Sequence, residues 1–249
     1  MNGQRLQFAW RTDRGRVRTH NEDAVTVEAD LGLVIVADGI GGANAGEVAS
    51  RLAADVIAEC FRNRQELPSA RRDALQTARG AVEEANRSIW DTAHRSPSYQ
   101  GMGTTVVMGY LAAGFLVYAH VGDSRLYRLR DGLLMQLTRD HSLIQEVVDQ
   151  GLFPTLADAE RSGINSNILT RGLGMANRVS VEVHDLDTRP GDLFLFCTDG
   201  LSGMVTDEEI GRVLSDTDDD LDRLACKLID FACERGGRDN VTVALVRVC

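Results

Sequence analysis

Leu33-Val34-Ile35-Val36-Ala37-Asp38-Gly39-Ile40-Gly41-Gly42 decides the fold. Five apolar residues in a row, three of them β-branched, read as a buried strand. The run meets an acid, and three of the four residues after Asp38 are glycine. A carboxylate at the end of a buried strand is costly unless it is paired or binds a cation. Glycines let backbone approach a ligand closely. Alone, Asp-Gly fits a hairpin turn equally well.

The same device recurs. Leu193 to Thr198 is a second apolar run and ends in Asp199-Gly200. Phe115 to Val121 is a third and ends in Gly122-Asp123-Ser124-Arg125. Asp239-Asn240 stands immediately before a fourth, Val241 to Val246. One acid at a strand tip is a turn. Four suggest carboxylates converging at one end of a sheet core, where hard cations let them coexist.

The chain has 249 residues, a formal net charge of −10 and 43% hydrophobic content. That profile fits a globular protein with an ordinary core. The acidic balance argues against nucleic acid as a partner. Five cysteines, Cys60, Cys197, Cys226, Cys233 and Cys249, contain no C-x-x-C pair and sit mostly in apolar runs. Buried reduced thiols are expected, in a reducing compartment. No apolar run is long enough to span a bilayer, and the first residues lack a signal-peptide core. A cytoplasmic protein without membrane insertion is the expectation.

Periodicity gives the order of elements. Strands are predicted at Leu6–Thr12, Ala24–Ala29 and up to Asp38. Val48, Leu52, Val56 and Cys60 recur every four residues, which predicts a helix from Ala45 to Phe61. A second helix begins near Pro68-Ser69 and ends before Pro97. Thr104–Leu111, Phe115–Val121, Arg125–Arg130 and Leu133–Leu137 read as one antiparallel meander. Short helices follow at Ser142–Phe153 and Leu156–Arg161, in a segment (about 142–174) that reads as a flap or as a plain surface excursion. Strands return at Val179–His184 and Leu193–Cys197. Helices begin at Thr206 and span Asp219–Arg235, and Val241–Val248 is the last strand. No repeat or linker divides the chain, so one domain over 1–249 is expected. Strands and helices without a βαβ rhythm point to α+β, with helices on an antiparallel sheet sandwich.

Six motifs carry a resemblance. Arg18-Thr19-His20-Asn21-Glu22-Asp23, Ala37-Asp38-Gly39-Ile40-Gly41-Gly42, Met102-Gly103-Thr104-Thr105, Gly122-Asp123-Ser124-Arg125, Thr198-Asp199-Gly200-Leu201 and Asp239-Asn240-Val241-Thr242 occur in the order seen in protein phosphatase 2C. That family comprises metal-dependent Ser/Thr protein phosphatases. Thr138-Arg139-Asp140-His141-Ser142 resembles its bacterial branch. The resemblance implies a four-layer α-β-β-α sandwich with two Mn²⁺ or Mg²⁺ ions at one end and room for a third. It implies Asp38, Asp199 and Asp239 as direct ligands, with the Gly39 carbonyl. Glu22 would hold metal-bound water, Asp123 would bind a third ion with Asp199, and Arg18 would bind phosphate.

The chemistry of these residue types agrees. Hard oxygen ligands suit Mg²⁺ and Mn²⁺. Two such ions lower the pKa of a bridging water, which can then attack phosphorus in line. Arg18 would clamp phosphoryl oxygens with its planar fork. One departure stands out: eukaryotic members carry a His, proposed as general acid, where this chain has Ile40, as bacterial relatives also lack it. His141 is a substitute donor on paper, but a histidine so placed is more often a hydrogen-bonded structural residue. His20, His94, His120 and His184 receive no role. The expected partners of a monomeric enzyme are phosphorylated proteins, its substrates, and a cognate Ser/Thr kinase whose action it reverses. The segment Ser142–Gly174 also resembles phosphatases tied to type VI secretion. Rival readings are a pseudophosphatase binding module and a small-molecule phosphatase.

Overall fold

A computed structural model describes residues 5–41, 45–165, 167–216 and 220–249. Gly42 of the glycine turn and Asp219, the expected helix start, lie outside them. In chain order the elements are β1 (Leu6–Asp13), β2 (Asp23–Glu28), β3 (Leu33–Ile40), α1 (Ala45–Arg62), α2 (Arg71–Arg95), β4 (Gly103–Thr104), β5 (Val106–Ala112), β6 (Phe115–Val121), β7 (Arg125–Arg130) and β8 (Leu133–Gln136). There follow α3 (Leu143–Asp149), α4 (Leu156–Arg161), β9 (Glu182–Asp187), β10 (Leu193–Cys197), α5 (Asp199–Ser202), α6 (Asp207–Leu214), α7 (Leu221–Glu234) and β11 (Val241–Val248).

Two antiparallel sheets form, in the orders β1-β11-β10-β7-β8 and β2-β3-β5-β6-β9, with β4 added beside β3. The α-β-β-α layering follows from side-chain alternation along strands buried on both faces. In β3, Leu33 and Ile35 face a core shared with Ile57 and Phe61 of α1 and Ile89 of α2. Val34 and Val36 face the opposite way, onto Phe194, Phe196 and Val246 of the other sheet. A third core joins Leu195 and Leu245 to Leu224 and Leu228 of α7. The continuous apolar runs are therefore strands with no wet face. Where α1 and α2 face the core, small residues such as Ala49, Ala53, Ala78 and Ala85 are fully buried and allow close approach.

The expected meander is divided. β5 pairs with β6, and β7 pairs with β8, but β7 also pairs with β10 in the opposite sheet. The chain crosses between sheets at Gly122, whose φ of 106° favours glycine. Periodicity of 2 identifies a strand but not the sheet it joins, so the crossing is invisible to it. Other differences are local. β3 does not stop at Asp38: it continues to Ile40, paired with β4 through Gly39↔Thr104 and Ile40↔Gly103. Thr105 separates β4 from β5 by turning both its groups to Asp38: its hydroxyl accepts the Asp38 N–H (3.1 Å) and its N–H donates to the Asp38 carbonyl (2.9 Å). The ninth strand lies at Glu182–Asp187 rather than Val179–His184. α3 is shorter than expected, starting after Ser142, whose hydroxyl accepts the Gln145 N–H. The start at Thr206 holds, sealed by a capping box with Glu209.

Candidate metal and phosphate site

β3 and β6 both run antiparallel to β5, so they end on the same side. β11 begins where β10 ends, with Cys197 opposite Val243. Topology thus delivers Asp38, Asp123, Asp199 and Asp239 to one end of the sandwich. A cavity of about 420 Å³ lies there, lined by all four together with Arg18, Glu22 and Gly39. Every residue singled out from sequence as a ligand, water holder or phosphate contact faces this one space.

The electrostatics are those of acids whose burial and mutual repulsion outweigh the countercharge of Arg18 and Arg125. Burial, then the charges of Asp23, Asp199 and Asp123, hold the Asp38 carboxyl well above the usual carboxylate range. Burial and the Asp239 charge push Asp199 up. Asp123 is pushed up to about 7 by burial and by Asp199 and Asp140. Burial also raises Glu22. Asp199 Oδ1 is buried without a hydrogen-bond partner among the described residues. Converging carboxylates with an orphaned oxygen fit hard divalent cations, which take oxygen ligands and neutralise the mutual repulsion. Arg18 is half-exposed and donates to Asp239 Oδ2 at 2.7 Å.

Backbone packing leaves no slack. A Cβ on Gly39 would meet the Gly46 carbonyl at 2.2 Å and the Glu22 carbonyl at 2.6 Å. Gly39 N–H donates to that Glu22 carbonyl (3.1 Å), which also accepts the Ser50 hydroxyl (2.6 Å). The start of α1 is thereby locked to the loop that carries Arg18 and Glu22.

Two functional side chains escaped sequence reasoning. Asp23 directly follows Glu22, and in sequence it is one more charge in a polar loop. In the structure it opens β2 opposite Asp38 and is buried between the sheets. Its Oδ2 accepts the hydroxyls of Thr198 (3.0 Å) and Thr242 (2.6 Å), while Oδ1 has no partner among the described residues. Burial pushes it up to about 7 against those two hydrogen bonds. Asn240 is the second. Its amide donates to the carbonyls of Arg14 (2.9 Å) and His20 (2.8 Å), and its Oδ1 accepts the Glu22 N–H (2.8 Å). One side chain on β11's entry pins the whole phosphate loop.

His141 is buried and does not line the cavity. Its Nδ1 accepts the Gly122 N–H (3.1 Å) and its Nε2 lies 2.9 Å from Glu182 Oε1. It is a structural residue beside the crossing, as the sequence argument favours. His120, His141 and Glu182 bring potential ligand atoms within 4.8 Å of one another. The two rings are stacked at 4.7 Å and 19°, so their in-plane lone pairs run side by side and do not converge. Arg171 also donates to Glu182 Oε1 (3.1 Å). This cluster is a hydrogen-bonded network and not the metal centre.

Comparisons agree with this geometry. A family model described as protein phosphatase 2C matches residues 12–239. The serine/threonine phosphatase stp of Listeria monocytogenes is 37% identical over 248 residues, covering 97% of this chain and 95% of its own. The serine/threonine protein phosphatase PstP of Mycobacterium tuberculosis is 38% identical over 243 residues, which is 98% of this chain and 45% of that longer protein. The crystal structure of that phosphatase matches at a TM-score of 0.88 with 37% identity, covering 98% of both chains. A PstP catalytic domain in complex with two manganese ions matches at 0.86 and 37% identity, again over 98% of both. The chain belongs to the protein phosphatase 2C family.

Proposed function

We propose that the chain hydrolyses phosphoserine and phosphothreonine esters in proteins and depends on Mn²⁺ or Mg²⁺. The observation that carries this reading is the convergence of Asp38, Asp123, Asp199 and Asp239 on one cavity that Arg18 also lines. Asp38, Asp199, Asp239 and the Gly39 carbonyl are the groups to hold two ions, and Asp123 with Asp199 a third. Bound cations supply Lewis acidity toward water and phosphoryl oxygens.

This chain's own residues do the rest. Arg18 orients the phosphoryl group, with a guanidinium that can leave Asp239 for phosphoryl oxygens. Glu22, raised by burial, accepts hydrogen bonds or a proton from water in the cavity. Thr105 and Asn240 hold the backbone on either side of the acids. Ile40 has no acidic proton and His141 is buried in other bonds outside the cavity, so the leaving oxygen takes its proton from water or from another residue of the cavity. A flap role for the segment that follows β8 is supported by Asn167 and Leu169, which line the catalytic cavity, and by the pairing of Ser142 with Leu169 at its base.

A monomer working in the cytoplasm against a cognate Ser/Thr kinase completes the proposal. No described helix is long and apolar enough to cross a membrane. PppA, described as a regulatory component of type VI secretion in Pseudomonas aeruginosa, matches at 31% identity. The Listeria and mycobacterial phosphatases match at 37–38%, so this likeness singles out no pathway. The test is phosphate release from phosphothreonine peptides with and without Mn²⁺. Metal-dependent release supports the reading. Peptide binding without release would favour a pseudophosphatase, and release confined to small phosphate esters a small-molecule phosphatase.

A further inference from the structure

A second cavity, of about 480 Å³, adjoins the acid-lined one. Its walls include Trp90, Ala93, Pro97, Met102 and Met175, and its lining contains no carboxylate. The catalytic cavity next to it carries five. Met175 is the one residue that lines both. It is 53% exposed, and Ile40, another large exposed apolar side chain, stands on the catalytic side of it. Trp90 packs against His94, ring centroids 4.0 Å apart and planes tilted by 35°.

The distance between the cavities follows from the strands. β4 pairs with β3 on one side, at Gly39 and Ile40. On its other side Thr104 exchanges two hydrogen bonds with Leu173, of 3.1 and 2.8 Å. Met175 lies two residues beyond Leu173, its sulfur over Gly172, where an added Cβ would meet it at 2.7 Å. Two strand spacings separate the catalytic strand from the Met175 segment, about 10 Å. An extended peptide advances about 3.3 Å per residue, so two or three residues cover that span.

We infer that this cavity is a specificity pocket for an apolar side chain of the substrate protein, two or three residues from the phosphorylated Ser or Thr and on one side of it. An uncharged pocket walled by tryptophan and methionine takes an aliphatic or aromatic side chain. Because Met175 lines both cavities, a peptide anchored by its phosphate can reach this one with a neighbouring side chain. The inference rests on the phosphatase reading.

The experiment is a phosphothreonine peptide series with Leu, Ala or Glu placed singly at −3, −2, +2 and +3. kcat/KM is read by phosphate release at saturating Mn²⁺, for the wild type, Trp90→Ala and Met175→Ala. The wild type should prefer Leu over Ala by about ten-fold on one side only, with Glu no better than Ala. Trp90→Ala and Met175→Ala should collapse that ratio toward one. Because the ratio compares two peptides on one enzyme, any general loss of activity cancels. Met175 is exposed, so its variant will fold even if Trp90→Ala does not. Ready turnover with a flat wild-type profile would overturn the inference alone, as would a preference that survives both variants. Absence of phosphate release from every peptide would overturn the phosphatase reading, and the inference with it.

Discussion

Asp23→Asn should stabilise the metal-free protein, although it alters a residue at the heart of the site. Asp23 is buried, with one carboxylate oxygen on two threonine hydroxyls and the other unpartnered among the described residues. Its carboxyl moves from 3.8 to about 7 on folding, chiefly through burial. A raised folded pKa means that the native state holds the proton where the unfolded chain has lost it. This contribution is present below about pH 4, falls as pH rises toward 7, and is constant above that. At pH 7.5 the penalty of ionising the group in place is about 3 pKa units at 1.36 kcal/mol each, or about 4 kcal/mol. The nearby carboxylates share that penalty, and the charged form also gains from its two threonines, so about half is recoverable. Asparagine keeps the shape and an oxygen for both hydroxyls while removing the charge. The expected gain is about 2 kcal/mol in EDTA at pH 7.5, or about 4–8 °C in Tm, shrinking as the pH is lowered to 5. Thermal unfolding of both proteins across that range is the assay. Excess Mn²⁺ should reverse the order, because the cation favours the charged form. A destabilised variant, or a gain that does not change with pH, would refute the buried-charge argument.

Arg18→Ala should raise KM for phosphopeptides more than it lowers kcat, with metal binding retained, because the side chain contacts Asp239 through one nitrogen and is otherwise open to the cavity. Arg18→Lys should restore only part, since an ammonium lacks the fork; steady-state kinetics with calorimetry separates the two effects. Asn240→Ala removes three part-buried hydrogen bonds to backbone groups of the phosphate loop. At about 1 kcal/mol each, the loss should be about 2–3 kcal/mol by denaturant unfolding, accompanied by weaker Mn²⁺ binding because Glu22 is no longer held.

Much of the site was legible because each acid sits where an apolar run breaks, and a run's end is visible in one dimension. Asp38, Asp123, Asp199 and Asp239 could be picked out together as strand-end acids on that ground, while their separate roles came only from the resemblance. Asp23 could not: its neighbours in sequence are polar, and only its register opposite Asp38 turns it inward. Asn240 stands in a recognisable motif, but its three partners lie more than two hundred residues away, which no local pattern reports. Helices on an antiparallel sheet sandwich were legible from the apolar runs and the helical spacing, whereas the four layers came only from the family resemblance. Which strand joins which sheet was not, so the crossing at Gly122 read as another turn in a meander. Boundaries erred where side chains set them, as at Thr105, whose two bonds to Asp38 interrupt a run that periodicity makes continuous. The second cavity assembles Trp90, Met102 and Met175 from three separate segments, and no local pattern reports that they meet.

The claim on which everything else depends is that four strand-borne carboxylates form one cation centre. Calorimetric titration of Mn²⁺ into the wild type, Asp38→Ala and Asp239→Ala tests it most directly, with hydrolysis of p-nitrophenyl phosphate followed on the same samples. The wild type should bind at least two ions and lose all hydrolysis in EDTA. Each variant should remain folded, lose binding at the shared centre and lose activity. Unchanged Mn²⁺ binding in either variant, or full hydrolysis by the wild type in chelator, would contradict the account.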